Sequence, residues 1–503
     1  MRKWIRGAAV AAGLATSLPA LAQSGAQAGT NPQQPALQLM LQKGIITQAE
    51  YDAALKGGVA VEVVKETSQT VVVKETPKVD APPVTSKWNT TMYGFIEGDF
   101  IYDSTQSFAD LAGNGVVAAD GYAAKNHRLQ FSIRNTRLGF RFNAPDWGEV
   151  KSSALLEMDF FGNQPGNPPA ANSLVSEGGF FNNPGFRVRH AWLRVETPIL
   201  DFQFGQMWEL FGWQAYFHPN TVDLQGIPAQ IYSRTVQARV SKTLKSQPVN
   251  VEIAVAASRP PQRDAYVPDL QGGLKVNFNN WRGVTTAGGT GTSILAASVG
   301  VSGTWRRFQV QEFNAANGNP NASAVATGWG YSLDALIPII PVHGNDRSNG
   351  LTFTGSFVNG SGINDLYTGL TGGLGGAAST PGLTPAAGYV PNIDSGFAMF
   401  SADGKLNTIN WRSYLVGLQY YLPILDGRVW VSANYSNMYS SNIAQFANPA
   451  NVFERSNWAD GNIFWDATNA VRFGLEYAWF HQNRPNGNTA TDNRVQFSAW
   501  YLF

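Results

Sequence analysis

The sequence predicts an all-β transmembrane fold, a closed antiparallel barrel of about 16 strands, on three observations. First, residues 494–503 (RVQFSAWYLF) alternate strictly. Val495, Phe497, Ala499, Tyr501 and Phe503 fall on one face of a strand, and Arg494, Gln496, Ser498, Trp500 and Leu502 on the other. An apolar face that runs to an aromatic last residue suits a strand ending in lipid, although a terminal strand of a soluble sandwich would read similarly. Second, this period-two alternation recurs throughout residues 88–503, interrupted in turn by short and long connections. Third, charged residues are only 14% and aromatics 12%, with 52 glycines, yet mean hydropathy is slightly negative. After the amino terminus there is no apolar run of about 18 residues, the length a transmembrane helix needs. Only helices and closed barrels satisfy all backbone polar groups in lipid, so a membrane chain of this composition is a barrel.

Residues 1–22 have the order of a secretory signal. Arg2, Lys3 and Arg6 form a basic start, residues 7–18 a short apolar run, and Ala20-Leu21-Ala22 a small-residue cleavage motif. Residues 23–58 contain a polar start and a short helical hairpin. In it Gly44 ends the first helix, and Thr47 with Glu50 forms a capping box for the second. Its apolar side chains are too few for an independent core, so it is expected to dock on something. Residues 59–87 carry VVKET twice, at 63–67 and 72–76, followed by Pro77, Pro82 and Pro83. A nine-residue period is not a heptad, which favours a tether over a coiled coil. Cysteine is absent, which excludes a disulfide framework and thiolate metal sites, and a net charge of +1 gives no reason to expect nucleic acid.

The barrel, residues 88–503, is expected to have strands at 89–102, 128–143, 149–161, 186–196, 200–208, 231–243, 249–258, 269–279, 293–305, 328–338, 350–358, 411–422, 428–437, 461–466, 470–481 and 494–503. Residues 305–313 could form a further strand. Short connections with turn residues, at 144–148, 197–201, 244–248, 422–427 and 466–469, belong at one end. Long ones rich in Gly, Asn, Pro and Ser, at 104–126, 162–185, 209–230, 360–410 and 438–460, belong at the other, outside the cell. The segment 209–230 has the aromatic residues Phe211, Trp213, Tyr216 and Phe217 to pack against a barrel wall if it folds inward; a subunit contact is the other use for them.

If the apolar phase of each strand faces lipid, the other phase lines the lumen. A charge at mid-depth on the lipid side would cost about 2–4 kcal/mol, which fixes the phase. Arg137, Gly139 and Arg141 then face inward, as do Glu157, Asp159, His190, Trp192, Arg194 and Glu196, and Arg472, Gly474 and Glu476. The phase changes between Phe131 and Leu138, which calls for a bulge near Asn135 and Thr136 and leaves Arg134, Arg187 and Arg189 unassigned. Residues 88–503 hold 27 Lys and Arg against 29 Asp and Glu, and 21 of the 27 are Arg. Arginine keeps its charge and presents a planar fork to carboxylate or phosphate, so inward arginines are a means of selecting anions. The competing reading is a lumen whose arginines are satisfied by its own carboxylates.

TMYGFIEGDFIYDSTQSF (91–108), NTRLGFRF (135–142), ALLEMDFFG (154–162), FRVRHAWLRVE (186–196) and FGQMWELFG (204–212) together resemble the DcaP-like outer-membrane porins. The resemblance implies a trimeric, sixteen-stranded barrel in the bacterial outer membrane that passes small solutes, with dicarboxylates and related organic anions as substrates. It makes Arg137, Arg141, Arg189 and Arg194 the leading pore arginines. Arg239, Arg472, Arg494, Glu157 and Asp159 complete the candidate pore lining. No cofactor, metal or catalytic residue is expected. Members of the family often carry an amino-terminal coiled coil, from which the hairpin and VVKET segment of this chain depart. Two other readings remain: a structural or adhesive barrel with a closed lumen, and a barrel enzyme. The five histidines (His127, His190, His218, His343, His481) have no spacing that specifies a nucleophile or metal site, which disfavours the enzyme.

Overall fold

The computed structural model describes Leu41, Gln48, Tyr51, Asp52 and residues 88–503, apart from 163–183, 263–264, 314–320, 345, 371–395, 397, 402 and 448–449. The expected signal and linker therefore lie outside the described residues. Of the expected hairpin, the four described residues are helical, and Gln48 donates to the Asp52 carboxylate at 3.1 Å.

The rest of the described chain is a barrel. Its strands are β1 (Asn89–Asp103), β2 in two pieces (Arg128–Ser132 and Arg137–Asn143), β3 (Lys151–Asp159), β4 (Arg187–Glu196), β5 (Asp201–Trp208), β6 (Arg234–Leu244), β7 (Val249–Ser258) and β8 (Asp269–Thr285). The second half comprises β9 (Ser293–Gln311), β10 (Ser323–Ile340), β11 (Leu351–Ser361), β12 (Asn410–Tyr421), β13 (Val429–Tyr439), β14 (Arg455–Asp466), β15 (Val471–Asn483) and β16 (Thr489–Leu502). Each strand pairs antiparallel with its neighbours in sequence, and β1 pairs with β16, so the sheet closes and no edge is left. Phe503 donates its N–H to Gly94, which carries the seam to the last residue.

Every expected strand is present, but several are longer than expected; β10 starts at Ser323 and β16 at Thr489, each five residues early. β14 starts at Arg455, because the polar run 455–460 alternates as a lumen wall rather than forming part of the preceding loop. Residues 305–311 continue β9 instead of making a separate strand, and β8 runs on to Thr285. The phase change in β2 is a break at 133–136. Both pieces pair with β1, and the Thr136 N–H closes a turn onto the Ile133 carbonyl.

The alternation is physical. On β16, Phe497 and Tyr501 are exposed outward while Arg494, Gln496, Ser498 and Trp500 are buried inward; on β15, Leu475 and Tyr477 face out and Arg472 and Glu476 in. Much of the interior is filled by chain. Residues 209–233, between β5 and β6, enter the lumen and bury Leu210, Phe211, Trp213, Val222, Leu224 and Ile227 against its walls. The loop after β1 packs against them, Val117 in one cluster with Ile227, and the Val117 N–H donates to Gln482 on the wall.

Candidate functional site

Register explains how the inward charges meet. In antiparallel pairing Arg137 stands opposite Asp159, Gly139 opposite Glu157, Asp466 opposite Arg472 and Asp103 opposite Arg494. A bulge in β4 sets His190 opposite Glu157 and Val188 opposite Met158, so Arg189 is the extra residue and turns inward beside His190. This places Arg187, Arg189, Glu157 and Asp159 on one patch of wall.

Arg189 is fully buried there. Its Nε donates to Glu157 at 2.7 Å, and one terminal nitrogen donates to Asp159 at 2.9 Å and to the Gln225 side-chain oxygen at 3.1 Å. The other donates to the Tyr232 hydroxyl at 3.2 Å. Arg187 forks onto both oxygens of Asp159 at 2.9 and 2.5 Å. Tyr93 donates to Glu157 at 2.9 Å. Arg137 lies 3.7 Å from Glu157, beyond hydrogen-bond range, with its guanidinium 5.0 Å from the centre of the Phe95 ring. Arg234 forms no ion pair among the described residues and stacks over Trp208 at 4.6 Å and Tyr232 at 5.5 Å. Four guanidiniums thus meet two carboxylates in this patch; two of the four, Arg137 and Arg189, line the adjoining cavity, as does Asp223, which pairs with Arg494.

The inward loop covers this patch. Gln225, at a φ of 66°, donates to Asn135 at 2.8 Å while accepting from the arginines. His218 bonds Gln230 through Nδ1 at 2.9 Å; burial, with Arg189 and Arg137 nearby, pushes its pKa down to about 4. Burial alone would raise the pKa of the loop residue Tyr232, but Arg189, Arg137 and Arg234 outweigh it and bring it down to about 8. Both groups are therefore neutral at pH 7, and the surplus belongs to arginine. The patch, the loop and the connection at 286–292 enclose a cavity of about 320 Å³ lined by Arg137, Arg189, Trp208, His218, Asp223 and Tyr232, among others.

The other candidates lie elsewhere on the wall. Arg141 is over the Tyr93 ring at 5.6 Å, towards the short-turn end, and Arg194 pairs at the same end with Glu196 and Asp201 at 2.9 and 3.0 Å. Arg239 donates to the Trp208 carbonyl at 2.6 Å. Arg472 pairs with Asp466 at 2.8 Å, and Arg494 with Asp103 at 2.7 Å and Asp223 at 3.0 Å, so both tie parts of the interior together. Sequence reasoning did not select Arg234, Tyr232, Gln225 or the 286–292 connection. The dense turn chemistry of 225–232 (QGIPAQIY) was the available signal for the loop residues.

A closed sixteen-stranded antiparallel barrel with a long loop folded into its lumen has the architecture of the porin-type channels. No protein-family model and no curated protein matches the sequence. Among solved structures the chain is similar to the outer membrane channel DcaP of Acinetobacter baumannii, with a TM-score of 0.57 and 18% identity over 83% of this chain and 97% of that one. Likeness at that identity establishes the shared fold. More distant are the anion-selective porin from Comamonas acidovorans, with a TM-score of 0.44 and 11% identity over 83% of this chain and all of that one (100%), and Pseudomonas putida OprB, at 0.43 and 13% over 82% and 94%.

Proposed function

We propose that the protein is an outer-membrane porin, a passive channel for small hydrophilic solutes that prefers organic anions such as dicarboxylates and assembles as a homotrimer. One observation supports the anion preference: Arg137 and Arg189 line the cavity, and the Arg137 guanidinium is hydrogen-bonded to neither carboxylate, lying 3.7 Å from Glu157. A solute carboxylate there replaces hydration with a planar donor fork and compensates surplus charge. A second carboxylate on the same small molecule has Arg189 and the Tyr232 hydroxyl nearby.

Reversal potentials across planar bilayers in a potassium chloride gradient test the reading, with succinate and acetate then exchanged for chloride. Anion preference, with succinate reducing chloride current more than acetate does, is the expected result. Cation preference removes the proposal. A closed, adhesive barrel would show no single-channel conductance at all.

A further inference from the structure

The hairpin joining β8 and β9 does not stay in the barrel wall. Their register runs evenly from Trp305↔Leu270 to Ala297↔Phe278, then jumps to Ala296↔Arg282, leaving Asn279, Asn280 and Trp281 without partners on β9. A bulge of this size bends a strand pair sharply. Beyond it, 282–296 turns into the lumen at the short-turn end and meets the wall from β12 to β16, three to seven strands round the barrel from β9.

Its contacts there are specific. The Thr286 N–H donates to Gln419 at 3.0 Å, and the Thr286 hydroxyl meets the Tyr421 hydroxyl at 2.5 Å. Arg472 on β15 donates to the carbonyls of Gly288 at 2.7 Å and Thr290 at 2.6 Å while Asp466 holds its Nε at 2.8 Å. Val284 is fully buried in a cluster with Trp430, Phe464 and Trp500. Gly289 lies so close to the wall that a Cβ would sit 2.5 Å from the Trp500 ring, so only glycine fits without displacing it. The tip, 285–291, is the floor of the cavity that the inward loop and Arg137 bound on other sides. It presents backbone and small side chains and contains no charged residue; the Thr285, Thr286 and Thr290 hydroxyls are bonded to the wall or within the hairpin.

We propose that the 282–296 hairpin is a second constriction of the pore, between the arginine cavity and the short-turn end, and that Arg472 is the positioning residue that holds it across the lumen. The proposal builds on the porin reading and adds to it where solutes are sieved after the arginines: a collar of backbone and small side chains, through which only solutes narrow enough to pass the glycine tip leave the cavity. Arg472 acts on the hairpin through two carbonyls, so its role there is geometric; it shares Asp466 with Arg347, which donates to the other carboxylate oxygen at 2.8 Å.

The absence of native cysteine makes the test clean. A Cβ at Gly291 would meet no atom within 4 Å, so Gly291→Cys puts a single thiol at the cavity without steric cost. In planar bilayers, full modification with a sulfonate-bearing or an ammonium-bearing methanethiosulfonate should each lower single-channel conductance by ~2-fold or more and shift the reversal potential in opposite directions. Unchanged conductance and reversal potential after modification confirmed by mass would overturn the constriction. Arg472→Ala should raise conductance and admit larger solutes, with Arg472→Lys near the parent; a folded Arg472→Ala protein of parental conductance would overturn the positioning role. A parent channel that prefers cations would remove the anion reading, while the opposite shifts on labelling would still locate the constriction.

Discussion

Arg494 donates to the carboxylate of Asp223 at 3.0 Å, joining the closing strand to the loop that enters the lumen from the far side of the barrel. Its remaining nitrogens fork onto Asp103 of the adjacent first strand at 2.7 and 3.0 Å. Beside it Glu476 accepts from the Thr221 hydroxyl at 2.5 Å and from the N–H groups of Val222 and Asp223 at 2.8 and 3.0 Å. One buried network therefore closes the seam and fixes the loop, so pore geometry and barrel stability share residues.

Truncating Arg494 leaves Asp103 and Asp223 buried without their partner. Breaking a buried ion pair from one side costs ~3–5 kcal/mol, so Arg494→Ala should unfold at markedly lower urea in detergent, followed by tryptophan fluorescence. Asp223→Asn keeps the Arg494 to Asp103 fork and should lose much less stability. Equal loss in the two variants would show that the loop contact, and not the seam, dominates.

The arginines differ in what already holds them, and selectivity should follow that difference. Arg137 faces the cavity 3.7 Å from Glu157, whereas Arg194 is bonded to Glu196 and Asp201 near the short-turn end. One charge beside a water-filled pocket is worth about 1 kcal/mol, so Arg137→Ala should reduce the anion-to-cation permeability ratio ~5-fold. Arg194→Ala should change it little. Reversal potentials of the two variants, measured side by side, check the ranking.

The strand order, the barrel and the inward phase of β15 and β16 were legible because one face of each strand meets lipid, and lipid tolerates no charge. The same rule fails where a strand leaves regular geometry. Arg187 and Arg189 could not be assigned, since the β4 bulge that turns Arg189 inward has no apolar signature. The β8 to β9 hairpin was missed for a related reason: NNWRGVTTAGGTGT (279–292) looks like an ordinary polar turn, and only the three unpaired residues bend it into the lumen. Arg472 and Arg494 share the inward phase with Arg137. Strand register gives them Asp466 and Asp103, but their further partners, the Gly288 and Thr290 carbonyls and Asp223, come from a hairpin and a loop remote in sequence, which periodicity does not encode.

Anion preference should fall above pH 8. The Tyr232 hydroxyl, brought down to about 8 by three arginines, is neutral below that pH and negative above it, and it accepts from Arg189 at the cavity. Ionisation removes one unit of the local positive surplus. His218, held near 4, is neutral throughout this range and contributes no step. Reversal potentials from pH 6.5 to 9.5 should therefore shift away from anion preference as Tyr232 ionises, and Tyr232→Phe should reduce that shift. An undiminished shift in Tyr232→Phe would assign it to another group.

Gly474 controls how near the inward loop comes to the wall. It lies on the lumen face of β15, where a Cβ would be 2.9 Å from both the Trp500 ring and a methyl of Val222. Two residues further on, Glu476 binds the N–H of that same Val222, so the loop backbone is drawn against the wall where the side chain is missing. Overpacking a filled interior costs ~1–3 kcal/mol. Gly474→Val should lower stability by that amount and push the loop towards the cavity, reducing conductance. Adding Trp500→Ala gives the new side chain room on the wall and should restore conductance more than stability, because the indole's own packing is lost. If Gly474→Val has parental conductance and denaturation midpoint, the loop has slack at Val222 and its position is set by the Arg494 and Glu476 bonds alone.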